Sequence, residues 1–127
     1  MNKLAQKISD SELEVMRSLW GGKQAMTLAE IRKTLSVNSA WEDSTIKTLL
    51  RRLHAKGVLK QEKRDVYYYT PLVSEDEYEE YTTQTLINKL FQGSAKNLVA
   101  SLVSSNQLSQ EDLSELRKMF KVGDTYE

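Results

Sequence analysis

The chain has 127 residues, with 18 Lys/Arg against 18 Asp/Glu and a formal net charge of zero. It has no cysteine and one histidine, His54, which excludes disulfides, thiol catalysis and thiolate metal sites and leaves no Ser-His-Asp triad or histidine-based metal site to expect. No apolar run reaches the roughly 18 residues of a membrane span, and the polar first residues contain no secretory h-region, so neither membrane insertion nor export is expected.

Ser9-Asp10-Ser11-Glu12 has the spacing of a capping box, with Ile8 and Leu13 at the hydrophobic-staple positions. It predicts a first helix over 10–20, with Leu13, Met16 and Trp20 on one stripe and Gly21-Gly22 as its end. Ala25 and Met26 allow only a very short strand. Thr27 with Glu30, stapled by Met26 and Ile31, opens a second helix over 28–35 that buries Leu28, Ile31 and Leu35. A loop over 36–40 leads to a third helix over 43–56. Its residues Ile46, Leu49, Leu50 and Leu53 face inward, and Gly57 is its C-cap. The segments 58–63 and 66–70 flank the charged turn Arg64-Asp65 and read as a hairpin closed by Pro71. Ser74 with Glu77, stapled by Val73 and Tyr78, opens a fourth helix that reaches about 92, where Gly93-Ser94 breaks it. A fifth helix over 95–104 carries Ala95, Leu98, Val99, Leu102 and Val103, a broad apolar stripe. Ser109 with Asp112 opens a sixth over 110–121, offering Leu113, Leu116 and Phe120.

Helix, short strand, helix, helix, hairpin is the order of a winged helix-turn-helix. The expected fold is mainly α with a small β-hairpin wing, followed by a C-terminal helical dimerisation region. The predicted division is 1–73 for DNA binding and 74–127 for dimerisation. Charge supports it: residues 1–73 hold 13 Lys/Arg and 8 Asp/Glu, whereas residues 74–127 hold 5 and 10. Between 44 and 64 stand Lys47, Arg51, Arg52, Lys56, Lys60, Lys63 and Arg64 with one acid, Glu62, which fits a polyanion-binding lobe or a solvated helix face. With its apolar side held inward, the third helix presents Ser44, Thr45, Lys47, Thr48 and Arg51 outward. Hydroxyls there suit phosphate oxygens and thymine methyls; Lys or Arg suits guanine or phosphate. Lys60, Lys63, Arg64 and Tyr67 on the hairpin would meet backbone phosphates.

The tail holds too few large residues for its own core. A second copy is the expected cover, with Tyr81, Leu90, Leu98, Val99, Leu102, Val103, Leu116 and Phe120 as the candidate dimer residues. The acids Glu75, Asp76, Glu77, Glu79 and Glu80 fit a helix N-terminus better than a metal cluster. His54 reads as a partly exposed packing residue, and Trp41 as a residue that packs the turn ahead of the third helix, with a phosphate-side contact through its indole N–H as the alternative. No nucleophile–base pair and no cofactor site is found. A winged-helix module for protein contact and a regulator released by a small molecule stay open beside the DNA-binding repressor.

Ile8 through Met16 with Leu19-Trp20, Trp41 with the run from Ser44 to Leu53 and Lys56-Gly57, and the downstream Tyr68-Tyr69, Leu86-Ile87-Asn88-Lys89-Leu90 and Leu108-Ser109 resemble the BlaI/MecI/CopY repressors over about residues 7–121. The resemblance implies a bacterial cytoplasmic repressor, homodimeric, bound to double-stranded dyad operators with TACA/TGTA half-sites. It implies control of a β-lactamase or resistant transpeptidase through a membrane sensor. DNA-contact positions carried over fall on Ser44, Thr45, Lys47, Thr48 and Arg51, with wing contacts near Lys63, Arg64 and Tyr67. The antibiotic-resistance branch is switched by cleavage between an Asn and a Phe, positions occupied here by Ser101 and Leu102. The cysteine motifs of the copper branch are absent. Glu42-Asp43 stands where the family often has Ser-Pro.

Overall fold

The structure, a computed structural model, describes residues 3–35 and 41–124, with side chains to residue 120. The expected loop over 36–40 lies outside them. A 3-10 turn at Lys3–Lys7, absent from the sequence reading, precedes α1 (Asp10–Gly22), β1 (Met26–Thr27), α2 (Leu28–Leu35) and α3 (Asp43–Ala55). Then come β2 (Leu59–Lys63), β3 (Tyr67–Pro71), α4 (Glu75–Phe91), α5 (Ala95–Ser104) and α6 (Gln110–Asp124).

The capping spacings do what they predict. Ser9 and Glu12 exchange side-chain and backbone hydrogen bonds of 3.3 and 3.0 Å. Thr27 with Glu30, Ser74 with Glu77 and Ser109 with Asp112 do the same. Each box satisfies two backbone donors that a helix start would otherwise leave open. Helix ends follow the sequence less closely. Gly21-Gly22 does not stop α1; the helix includes both and ends at Lys23, in the left-handed region at φ 60°. Gly22 lies against the Met26 side chain, where a Cβ would collide with the thioether. After α3 the C-cap is Lys56, and Gly57, at φ 80°, makes the left-handed turn one residue later.

The molecule forms two compact units, Met1–Thr83 and Gln84–Glu127. In the first, the antiparallel sheet has the order β1-β3-β2, with Met26 opposite Tyr69 and Gln61 opposite Tyr69 on the other side. Its core joins Val15, Met16 and Leu19 of α1, Ile31 and Leu35 of α2, Ile46, Leu49, Leu50 and Leu53 of α3, and Leu59 and Tyr69 of the sheet. Glu12 is 1% exposed inside this core. Both its oxygens accept from Lys56 Nζ, at 2.6 and 2.8 Å, and Lys56 also donates to the Lys7 carbonyl at 2.9 Å. One ion pair thus ties the chain start, α1 and the end of α3. The Trp20 indole N–H donates to the Val73 carbonyl at 2.8 Å, and its ring lies 5.6 Å from that of Tyr78. Tyr81 packs on the same core and donates its hydroxyl to Gln6 at 2.9 Å. The first two turns of α4 therefore belong to this unit, and the division falls ten residues beyond the expected 73/74.

The second unit is built differently. Its one buried residue among those described is Ile87. Ser94 caps α5 by accepting from the Asn97 N–H at 3.1 Å. No residue of α5 is buried, and Leu90 (60%), Val99 (48%), Val103 (42%) and Phe120 (68%) are exposed.

Candidate nucleic-acid interface

Four buried aliphatic residues fix α3 by one side, which leaves the other side in solvent. Ser44, Thr45, Lys47 and Arg51 are exposed, and Thr48 is half-buried. Thr48 spends its hydroxyl proton on the Ser44 carbonyl at 2.9 Å, so its methyl and lone pairs remain to offer a ligand. The structure divides these residues between two clefts. Lys47 and Arg51 line a cleft of about 680 Å³ with Leu28, Gln61, Tyr67 and Tyr69. Ser44, Thr45 and Thr48 line another of about 430 Å³ with Trp41.

On the wing, Lys63 pairs with Tyr67 in register, with its Nζ 5.6 Å from that ring. Strand alternation puts Tyr67 and Tyr69 on one face, toward the first cleft, and Tyr68 on the other. Arg64 goes with Tyr68: its guanidinium lies 4.4 Å over that ring and its Nε donates to Glu62 at 3.1 Å. Lys63 and Tyr67 are thus brought together, while Arg64 is held apart from them. A hydrogen bond from Arg64, its charge and the charge of Lys60 hold the Glu62 carboxyl below its ordinary pKa. Burial pushes the Tyr69 hydroxyl up, with Tyr67 adding to the shift, so the cleft wall stays neutral.

Ion pairs sort the cations. Arg32 holds Asp43 at 2.7 Å, Lys56 holds Glu12, and Arg64 and Lys60 flank Glu62. Asp43, in the first turn of α3, is therefore neutralised locally, whereas Glu42 at the N-cap makes no side-chain cap hydrogen bond. Lys47, Arg51 and Arg52 have no carboxylate partner among the described residues. Of the Lys and Arg residues of α3, Lys47, Arg51 and Arg52 are all left for an outside anion.

The family model described as penicillinase repressor matches residues 8–121. The chain belongs to the penicillinase repressor family. It is 37% identical over 122 residues to the penicillinase repressor of Bacillus licheniformis, covering 95% of this chain and 94% of that one. It is 32% identical over 120 residues to the methicillin resistance regulatory protein MecI of Staphylococcus aureus strain N315, covering 94% and 97%. The solution structure of the DNA binding domain of the repressor BlaI matches at 44% identity and TM-score 0.51, over 61% of this chain and 94% of that one. As a penicillinase repressor family member the chain is a DNA-binding transcriptional repressor with a winged-helix reader, and not an enzyme.

This penicillinase repressor family chain also holds features its sequence does not signal. Arg32–Asp43 and Glu12–Lys56 join residues 11 and 44 positions apart, and no local pattern encodes either. Trp41 is half-buried against the core, as expected of a packing residue, and it also borders a cleft. His54 is exposed. Among the described residues no cluster of His, Asp and Glu could hold a metal, and no helix is long and apolar enough to cross a membrane.

Proposed function

We propose that the chain acts as a cytoplasmic homodimer on a dyad operator with TACA/TGTA half-sites, repressing a β-lactamase or related resistance gene. The names of its relatives, penicillinase repressor and methicillin resistance regulatory protein, support that target. The observation that carries the reading is the pair Lys47 and Arg51, without an acid partner among the described residues and set in a cleft between α3 and the wing. In this reading Lys47 and Arg51 reach base edges, and Ser44, Thr45 and Thr48 meet phosphates and thymine methyls. Lys63 and Tyr67 meet the backbone, and Arg64 joins them by exchanging Glu62 for phosphate. Residues 1–73, with the start of α4, form the reader, and the rest dimerises through Leu90, Leu98, Val99, Leu102, Val103, Leu116 and Phe120. Tyr81 stays with the reader, to which its ring and hydroxyl are committed.

A membrane sensor and protease pathway that cuts Ser101–Leu102 completes the proposal. That bond lies inside α5, and the Ser101 carbonyl accepts from the Ser105 N–H at 3.0 Å, so the helix must unwind before it is cut. A helix without a buried anchor in its own protomer unwinds at little cost.

Fluorescence anisotropy with a TACA/TGTA dyad duplex and a scrambled duplex, each over a salt series, tests the operator reading. Tight operator binding, weaker scrambled binding and a steep salt slope are expected. Equal affinity for both duplexes overturns the operator assignment.

A further inference from the structure

Lys47 carries base recognition in the reading above, yet an acid stands where it should disable that lysine. Asp43 precedes Lys47 by four residues, the spacing at which helical side chains lie one above the other. An acid on the N-terminal side of a lysine is the favoured order for an ion pair at that spacing. Asp43 is the one acid of α3, and Glu42 at the N-cap is five residues from Lys47, off the spacing. Left to α3 alone, Asp43 and Lys47 would neutralise each other.

They do not pair in the structure. Asp43 Oδ2 accepts from the Arg32 guanidinium at 2.7 Å, and Lys47 has no carboxylate partner among the described residues. Arg32 reaches Asp43 from the last turn of α2, 11 positions away in sequence. Its own helix offers it no acid at pairing distance: Leu28 and Ala29 stand four and three residues before it, and Leu35 three after. Glu30 is committed to the Thr27 capping box. A guanidinium also binds a carboxylate more firmly than an ammonium does, so Arg32 prevails over Lys47 for Asp43. We propose that Arg32 is a positioning residue for DNA recognition: by holding Asp43 it keeps the Lys47 ammonium free for a base edge. Arg32 acts through Asp43 and touches no DNA itself. The proposal rests on the DNA-binding reading and adds a residue of α2 to it. Without Arg32 the cost has two parts. Lys47 must leave Asp43 before it reaches a base, and an uncompensated carboxylate in the first turn of the recognition helix faces the phosphates.

The test uses full-chain variants in the same anisotropy series with the operator and scrambled duplexes. Arg32→Gln should weaken operator binding by about tenfold. Asp43→Asn should bind operator at least as tightly as the unaltered chain, and the double variant Arg32→Gln/Asp43→Asn should return to within about twofold of it. A bridge that merely fastened α2 to α3 would be lost in Asp43→Asn as fully as in Arg32→Gln, so weaker binding by Asp43→Asn overturns the proposal. A direct contact between Arg32 and phosphate would leave the double variant as weak as Arg32→Gln, and that result refutes it too. The part played by Lys47 is read in a Lys47→Gln background. There Arg32→Gln should cost only about threefold, because no lysine is left for Asp43 to capture; an undiminished loss removes Lys47 from the scheme and sinks the proposal. If the unaltered chain binds both duplexes alike, the operator reading fails. If it discriminates between them while Arg32→Gln binds as the unaltered chain does, only the role of Arg32 fails.

Discussion

Glu12 shows how one side chain can serve a local and a distant role together. It closes the capping box of α1 and, from the same carboxylate, holds Lys56 at the end of α3. Burial is the largest influence on its pKa and raises it. The hydrogen bonds from Lys56 and the Ser9 N–H and the charge of Lys56 together outweigh burial, so the folded pKa lies below the ordinary carboxylate value. Folding therefore favours the ionised form. The stabilisation is complete above the ordinary carboxylate pKa and is lost as pH falls through the lowered folded value. Glu12→Gln is expected to cost about 2 kcal/mol near neutral pH, since it leaves a partly buried ammonium unpaired. Urea midpoints followed down the acid limb should show the gap to the unaltered chain closing; a constant gap would mean the carboxylate's charge is not what stabilises. The sequence marks Glu12 as the third residue of a box and stops there. Pairing with a residue 44 positions away is decided by how α1 and α3 pack, and no spacing rule reports that. At the residues of α3 the reading goes further, because burial of Ile46, Leu49, Leu50 and Leu53 leaves only one side for function. Lys47→Ala and Arg51→Ala should each weaken operator binding by about 1–3 kcal/mol while changing binding to scrambled DNA far less. An equal loss on both duplexes would mark that residue as a phosphate contact.

Among elements, helix starts were legible and helix ends were not. A start is written in side chains three residues apart, which the sequence displays and the structure confirms at Ser9, Thr27, Ser74 and Ser109. An end needs one left-handed residue, and glycine is only the cheapest choice. Lys23 and Asn106 take that conformation here, at φ 60° and 59°, so the glycine signal at Gly21-Gly22 misplaces the end of α1. The hairpin was legible from its β-branched and aromatic residues, but not which face each tyrosine takes. That depends on register, and pairing Gln61 with Tyr69 sends Tyr69 inward and turns Tyr68, with Arg64, to the reverse face. No residue of α5 is buried: Leu98 and Leu102 of its apolar stripe are half-buried, and Val99 and Val103 are exposed. Leu102→Asp and Phe120→Asp should each convert a proposed dimer to monomer in sedimentation; an unchanged mass would remove α5 and α6 from the interface.

At the scale of the whole molecule, the two units are stabilised in different ways. The first has a continuous core with a buried ion pair, and the second has one buried side chain among those described. A chain of this size buries only about two thirds of its unfolded surface, so the second unit is the part expected to depend on protein concentration. Thermal melts at rising concentration should shift its transition upward and leave that of the first unit nearly fixed. A single transition independent of concentration would argue against assembly through the tail. The charge difference between the halves was visible in the sequence. The exact seam was not, because it falls inside one uninterrupted helix.

That seam predicts which fragment should be the more stable by itself. A fragment ending at residue 73 keeps every element of the winged helix but strips Trp20 of the Tyr78 ring and leaves the chain start without its Tyr81 anchor. A fragment ending at Thr83 keeps both. The longer one should melt higher, by several degrees, and only there should the fluorescence of Trp20 match that of the full chain. The first unit is completed two helical turns into the segment that the sequence assigns to the second.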